Sequence, residues 1–111
     1  MSEFPEFMKN PANRIGKEAQ YTDGIEGYVF NGSDGSQMAF WTCSQDRATE
    51  EHIHEYDEYF VVIQGQYAVI VDGKEELIRT GQECYIPKGR PHSGRRTAGT
   101  RTIHCFGGKR V

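Results

Sequence analysis

Three histidines and one glutamate have the types and spacing that could do chemistry in this chain of 111 residues. His52 and His54 are two residues apart, so their imidazoles would project from one face of an extended chain. Glu58 has the same parity and would share that face if the strand continues. His92 lies just beyond a Pro-Gly turn, from which a neighbouring strand could bring it opposite. A histidine pair on a strand is weak evidence by itself, because such residues are more often polar surface or core groups.

Three imidazoles and one carboxylate that converge inside a barrel are what a divalent transition metal needs. Nitrogen donors suit Zn, Cu, Fe and Ni, and one anionic oxygen offsets part of the charge. Four protein ligands on an octahedral ion would leave two positions for substrate, water or dioxygen, whereas a tetrahedral zinc would have none left. We therefore expect one divalent ion, Fe, Mn, Ni, Cu or Zn, whose identity the donor set does not determine.

The elements that must position these groups are short strands separated by turn residues. No window beyond residue 27 sustains a helical apolar period, so the pattern favours an all-β sandwich or barrel. Residues 1–27, interrupted by Pro5 and Pro11, are predicted to be an irregular arm that pairs with the barrel or with a second subunit. Residues 28–111 would then form a single domain. The predicted strands cover residues 28–30, 38–43, 59–64, 67–71, 75–79, 82–86, 92–96 and 100–106.

The residues around the histidines complete two longer motifs. The first reads His52-x-His54-x3-Glu58-x6-Gly65, and the second reads Gly81-x5-Pro87-x-Gly89-x2-His92. In order, spacing and intervening length, both resemble the two conserved motifs of the cupin superfamily. This resemblance implies a small antiparallel β-barrel of jelly-roll (cupin) type. It also implies that the metal is held by His52, His54, Glu58 and His92.

Two positions depart from the family pattern. Asp46 stands where the first motif usually opens with glycine, and Arg96 stands where the second usually ends with asparagine. Neither position is a metal ligand in the family. Arg96 shares its parity with His92, which favours an inward side chain that could hold an anionic substrate group by a bidentate contact. Arg90 is a second candidate for that contact.

Other candidate residues have a plain structural interpretation beside the functional one. His104 could be a partner of the ligands or a general base in the cavity, although a hydrogen-bonded histidine without a chemical role is the more frequent outcome. Tyr56 and Glu58 could act as acid or base beside the metal. Met38 and Phe40 are predicted to line an apolar substrate pocket.

The cupin barrel supports many reactions, so the fold alone does not give one. The first hypothesis is a metalloenzyme with dioxygenase- or lyase-like chemistry on a small organic molecule, anionic if an arginine faces the cavity. The second is a small-molecule-binding or sensing cupin without turnover, because a single short domain lacks the extra elements of many enzymes. The third is a metal-free isomerase or epimerase, and the complete ligand set counts against it.

Charge and cysteine content bear on partners and compartment. Residues 1–78 carry five Lys or Arg against fifteen Asp or Glu, whereas residues 79–111 carry eight against one. This suits a solvated surface or an anion-attracting mouth, and aromatics do not interleave with the basic run as nucleic-acid binding would require.

No apolar stretch could cross a membrane, and three cysteines without C-x-x-C spacing or a secretion signal favour the cytoplasm. Exposed edge strands favour a homodimer.

Overall fold

The computed structural model describes residues 2–20 and 24–111, and its regular structure is almost entirely β-strand. Three single 3₁₀ turns precede the strands, at Glu6–Met8, Pro11–Asn13 and Lys17–Ala19. The strands are β1 (Ile25–Asn31), β2 (Gln37–Cys43), β3 (Arg47–His52), β4 (Glu58–Gln64), β5 (Gln66–Val71), β6 (Lys74–Arg79), β7 (Glu83–Ile86), β8 (His92–Arg96) and β9 (Thr100–Phe106). Within the described residues, no helix is long and apolar enough to cross a membrane.

The strands form two antiparallel sheets that face each other. One sheet has the order β1-β2-β9-β4-β7 and the other β3-β8-β5-β6. Alternate side chains of each strand point into the space between the sheets, as strand geometry requires. The predicted all-β jelly-roll architecture is confirmed. The largest buried cluster at its centre contains Phe60, Val62, Tyr67, Val69, Ile78 and Ile86.

One strand was absent from the sequence prediction. β3 (Arg47–His52) is an edge strand whose one partner among the described strands is β8, and most of its side chains are charged or polar. Edge strands commonly carry charged residues, because these discourage pairing with another chain. β3 therefore lacks the large apolar residues that most of the predicted strands contain.

The N-terminal segment packs against its own barrel. The Phe4 ring lies 4.6 Å from the ring of Phe40, centroid to centroid, and Ile15 is buried. Trp41 Nε1 donates a hydrogen bond of 2.9 Å to the side chain of Gln20. β1 begins at Ile25, so the expected boundary at residue 27 falls inside a strand. Pairing of this arm with a second subunit stays a prediction.

Gly65, which ends the first motif, and Gly81, which opens the second, have nearly the same backbone conformation in different surroundings. Their φ angles are +84° and +83°, in the region that favours glycine. A Cβ on Gly65 would lie 2.8 Å from the Cα of Thr100, whereas a Cβ on Gly81 would meet no described atom within 4 Å. The β4–β5 turn is therefore held tightly against the start of β9.

We expect Gly65→Ala to destabilise the protein more than Gly81→Ala. Both variants place alanine in left-handed backbone, which lowers the free energy of unfolding by about 1–2 kcal/mol. Gly65→Ala adds a clash with Thr100 of about 1–3 kcal/mol. Urea unfolding followed by circular dichroism measures both free energies. Equal losses would show that the contact with Thr100 relaxes without cost.

Candidate metal centre

Three histidines converge at the end of the four-stranded sheet. His52 ends β3 and pairs directly with His92, the first residue of β8, just past an irregularity in the ladder after Thr49. His54 lies two residues beyond β3 in a loop, and its carbonyl oxygen accepts a 2.9 Å hydrogen bond from Gly89 N. This bond ties the two motif loops together. One nitrogen from each imidazole lies within 4.8 Å of the other two.

Backbone carbonyls fix the orientation of two of these rings. His52 Nδ1 donates to the Glu50 carbonyl at 2.7 Å, and His92 Nδ1 donates to the Arg90 carbonyl at 2.8 Å. Because a carbonyl oxygen only accepts, the ring proton of each neutral imidazole is on Nδ1 and the lone pair is on Nε2. Burial lowers the pKa of His52 to about 4, so this ring stays neutral at pH 7. Both Nε2 atoms are thus prepared to bind a cation.

Glu58 reaches the same point from the other sheet. The strand of His52 does not continue to Glu58, as the parity argument would have required, because β3 ends at His52 and Glu58 opens β4. Its Oε1 nevertheless lies 3.3 Å from His54 Nε2 and 3.5 Å from His92 Nε2. Burial raises the pKa of Glu58, but hydrogen bonding by the surrounding histidines, His104 foremost, outweighs it and holds the pKa well below its usual value. The carboxylate is therefore ionised.

A cation fits between His92 and Glu58. His92 Nε2 is buried and makes no hydrogen bond within the described part of the chain. Burial lowers the pKa of His92, but the Glu58 carboxylate outweighs it and raises the pKa, so this nitrogen readily takes up a positive charge. In the neutral ring Nε2 presents a lone pair, and Glu58 Oε1 at 3.5 Å presents another. Two buried acceptors that face each other need a shared donor or a positive ion. A divalent metal held by the three imidazoles and the carboxylate meets this need.

His104 contacts the carboxylate rather than the centre of the site. It lies on β9, is 2% exposed, and places Nδ1 2.7 Å from Glu58 Oε2. Burial lowers the pKa of His104, so the neutral ring donates to Glu58 and its Nε2 accepts from the Thr102 hydroxyl at 2.9 Å. Both ring nitrogens are occupied. This geometry holds Glu58 in place.

Tyr56 has a comparable position behind His54. Its hydroxyl lies 3.0 Å from His54 Nδ1, and the two rings stack with centroids 4.7 Å apart. The phenol therefore contacts the side of the imidazole that faces away from Glu58. This contact can orient the ring, as partners of metal-binding histidines usually do.

The sequence pattern of the cupin domain family matches residues 39–106, which include all four candidate ligands and His104. The chain belongs to the cupin family. No curated protein matches the sequence of this cupin significantly.

Solved structures show the same fold at low sequence identity. KdgF from Halomonas sp. is 19% identical with a TM-score of 0.69, covering 75% of this chain and 77% of that one. An RmlC-like cupin from Shewanella frigidimarina is 18% identical with a TM-score of 0.69, covering 75% of each chain. A variant of salicylate 1,2-dioxygenase from Pseudoaminobacter salicylatoxidans in complex with gentisate is 14% identical with a TM-score of 0.69, covering 75% of this cupin but 25% of the dioxygenase chain.

Three predicted substrate contacts lie outside the metal centre. Because Trp41 points inward to His104, strand alternation directs Met38 and Phe40 outward; Met38 is 42% exposed, and Phe40 is covered by the N-terminal arm. Their assignment to the pocket lining is therefore wrong. The Arg90 side chain is exposed and pairs with Asp72, so only its carbonyl serves the site.

A small chamber beside the histidines has a volume of about 30 Å³. This is room for roughly two water molecules. Trp41, Thr49 and Tyr67 are lining residues that the sequence did not predict, although Tyr67 is the direct strand partner of Arg96. The chamber is lined by Ile25, Trp41, Thr49, His52, His54, Glu58, Tyr67, Ile86, His92, Arg96, His104, Phe106 and Arg110.

We expect His54→Ala and His92→Ala to lose the metal, because each removes a nitrogen donor from the centre. His104→Gln is the matched histidine control. Its ring nitrogens already bond Glu58 and Thr102, so this variant should keep about one equivalent at saturating metal. Elemental mass spectrometry of untagged protein measures the stoichiometry. Full metal content in His54→Ala, or loss only in His104→Gln, would contradict this ligand set.

Proposed function

We propose that this cupin is a metal-dependent enzyme with dioxygenase- or lyase-like chemistry on a small organic molecule. The observation that carries the proposal is the buried, unbonded His92 Nε2 that faces the ionised Glu58 beside two further imidazoles. A divalent ion at this point would polarise a substrate oxygen and, as iron, would supply redox chemistry with dioxygen. Two ligand positions would remain open on an octahedral ion.

The residues around the ligands support this function by fixing their positions. The Glu50 and Arg90 carbonyls keep two imidazoles in the metal-binding tautomer. His104 and Tyr56 each have a polar atom engaged with a candidate ligand, which supports positioning roles rather than direct proton transfer. Glu58 would serve as proton acceptor only after its carboxylate leaves the metal, because a carboxylate with so low a pKa is a weak base.

Aromatic side chains shield one side of the centre from bulk water. Trp41 packs edge-on to His104 with ring centroids 4.9 Å apart, and Phe106 packs against His54 at 6.0 Å. Low polarity strengthens the electrostatic interactions between the ligands and a bound ion. The small chamber also limits what can approach the ion, so the substrate is small or enters only by its reactive end.

Oxygen consumption tests the enzymatic proposal. Iron(II)-loaded protein should consume dioxygen with at least one member of a panel of small hydroxy and oxo acids, and His92→Ala should abolish this. The zinc-loaded protein, assayed for product with the same panel, tests the lyase alternative. A metal-bound protein that binds panel members but transforms none of them would support the non-enzymatic binding cupin instead.

The homodimer and the cytoplasmic location stay predictions. An outward row across the five-stranded sheet supports the former: Met38 pairs with Cys105, which pairs with Tyr59, which pairs with Tyr85. All four side chains are exposed in the single chain. Such a row is suited to contact with another protein surface.

A further inference from the structure

Arg96 is a buried cation with an unused hydrogen-bond donor at the metal chamber. It lies on β8 four residues after His92, is 8% exposed, and lines the same chamber as the histidines. Its Nε is buried and makes no hydrogen bond to any residue in the described ranges. The remaining contacts are with Tyr67: Nη2 lies 3.4 Å from the phenol oxygen, and Cζ lies 4.5 Å from the ring centroid.

These contacts leave the guanidinium without an anion. A 3.4 Å separation is at the long limit for a hydrogen bond, and a cation–π contact does not satisfy an N–H. No ion pair between Arg96 and a carboxylate occurs in residues 2–20 and 24–111. Burial of a charged group without a partner is unfavourable, so such an arginine is suited to an anionic ligand.

The net charge of the chamber points the same way. Glu58 is its one carboxylate among the lining residues, and the carboxylate oxygens already face His54, His92 and His104. The guanidinium of Arg96 also lines the chamber. With a divalent ion present, the chamber carries an excess of positive charge that an anion would offset.

We propose that the chamber binds a small carboxylate through the Nε edge of Arg96, which makes Arg96 the residue that selects a carboxylic acid as substrate. A guanidinium edge and a carboxylate match in planar, two-bond geometry. The chamber volume of about 30 Å³ restricts the bound part to a few heavy atoms. The role in substrate choice rests on the proposed function, whereas carboxylate binding itself does not require turnover.

Acetate and acetamide form a matched pair of probes, because they share size and shape but differ in charge. Ligand-observed NMR on the zinc-loaded protein should show acetate binding at least ten-fold tighter than acetamide. Arg96→Gln should remove this preference and keep its zinc. Arg95→Gln is the control on the same strand, since Arg95 is exposed and pairs with Glu75; it should bind acetate as the wild type does.

Arg96→Lys keeps the test valid if Arg96→Gln does not fold. The lysine retains the charge but loses the planar fork, so acetate should bind several-fold more weakly with zinc retained. Unchanged acetate affinity in either folded variant would overturn the proposal. If the protein binds zinc but its acetate affinity does not depend on Arg96, the metal proposal stands and the carboxylate proposal is wrong. If acetate binding depends on Arg96 but the protein takes no metal, the carboxylate proposal stands and the metal proposal is wrong.

A further variant distinguishes acetate binding in the chamber from acetate binding on the outer face of the sheet. Arg96 also borders an outer depression of about 550 Å³ on the four-stranded sheet, lined in part by Ala68 and Thr97. Ala68→Glu would place a negative charge in that depression, away from the chamber. Acetate affinity should then be unchanged. A loss as large as that of Arg96→Gln would place the anion in the depression and overturn the chamber assignment.

Discussion

The buried carboxylate of Glu58 is the interaction on which the rest of the site depends. It belongs to the five-stranded sheet, yet Oε1 faces His54 and His92 at the end of the four-stranded sheet, while Oε2 bonds His104 on its own sheet. An isolated carboxylate would be very unfavourable in this interior. The imidazoles that surround it, and the cation that the site is suited to hold, therefore stabilise the contact between the two sheets as well as the chemistry.

Local backbone features of the two motifs bring the three imidazoles together. An irregularity in the β3–β8 ladder sets His52 directly opposite His92, and the Gly89–His54 hydrogen bond brings the third imidazole to the same point. Backbone carbonyls then choose the tautomers. Volume alone does not locate this chemistry: the 550 Å³ depression on the outer face contains no histidine, whereas the 30 Å³ chamber contains all four.

Much of this arrangement could be predicted from the sequence because the two motifs fix spacing and order. They gave the barrel and brought His52, His54, Glu58 and His92 together. Strand parity was a weaker guide. Parity could not place Glu58, because the chain leaves the strand after His52 and starts a new one in the other sheet.

Strand parity shows which residues share a face, but the local sequence does not show which of the two faces points into the barrel. Phe40 is apolar and buried, as a pocket residue would be, but it is buried on the outer face by Phe4 of the arm. The inward residue is its neighbour Trp41. Only the tertiary contact distinguishes the two faces, because both are covered.

Anomalous diffraction from crystals of metal-loaded protein tests the central claim most directly. The account predicts one strong peak bonded to one imidazole nitrogen each of His52, His54 and His92 and to Glu58 Oε1. The expected bond lengths are about 2.0–2.2 Å. His104 should remain hydrogen-bonded to Glu58 Oε2 and should not touch the metal. A peak elsewhere, or one that includes His104 in place of a motif histidine, would contradict the account.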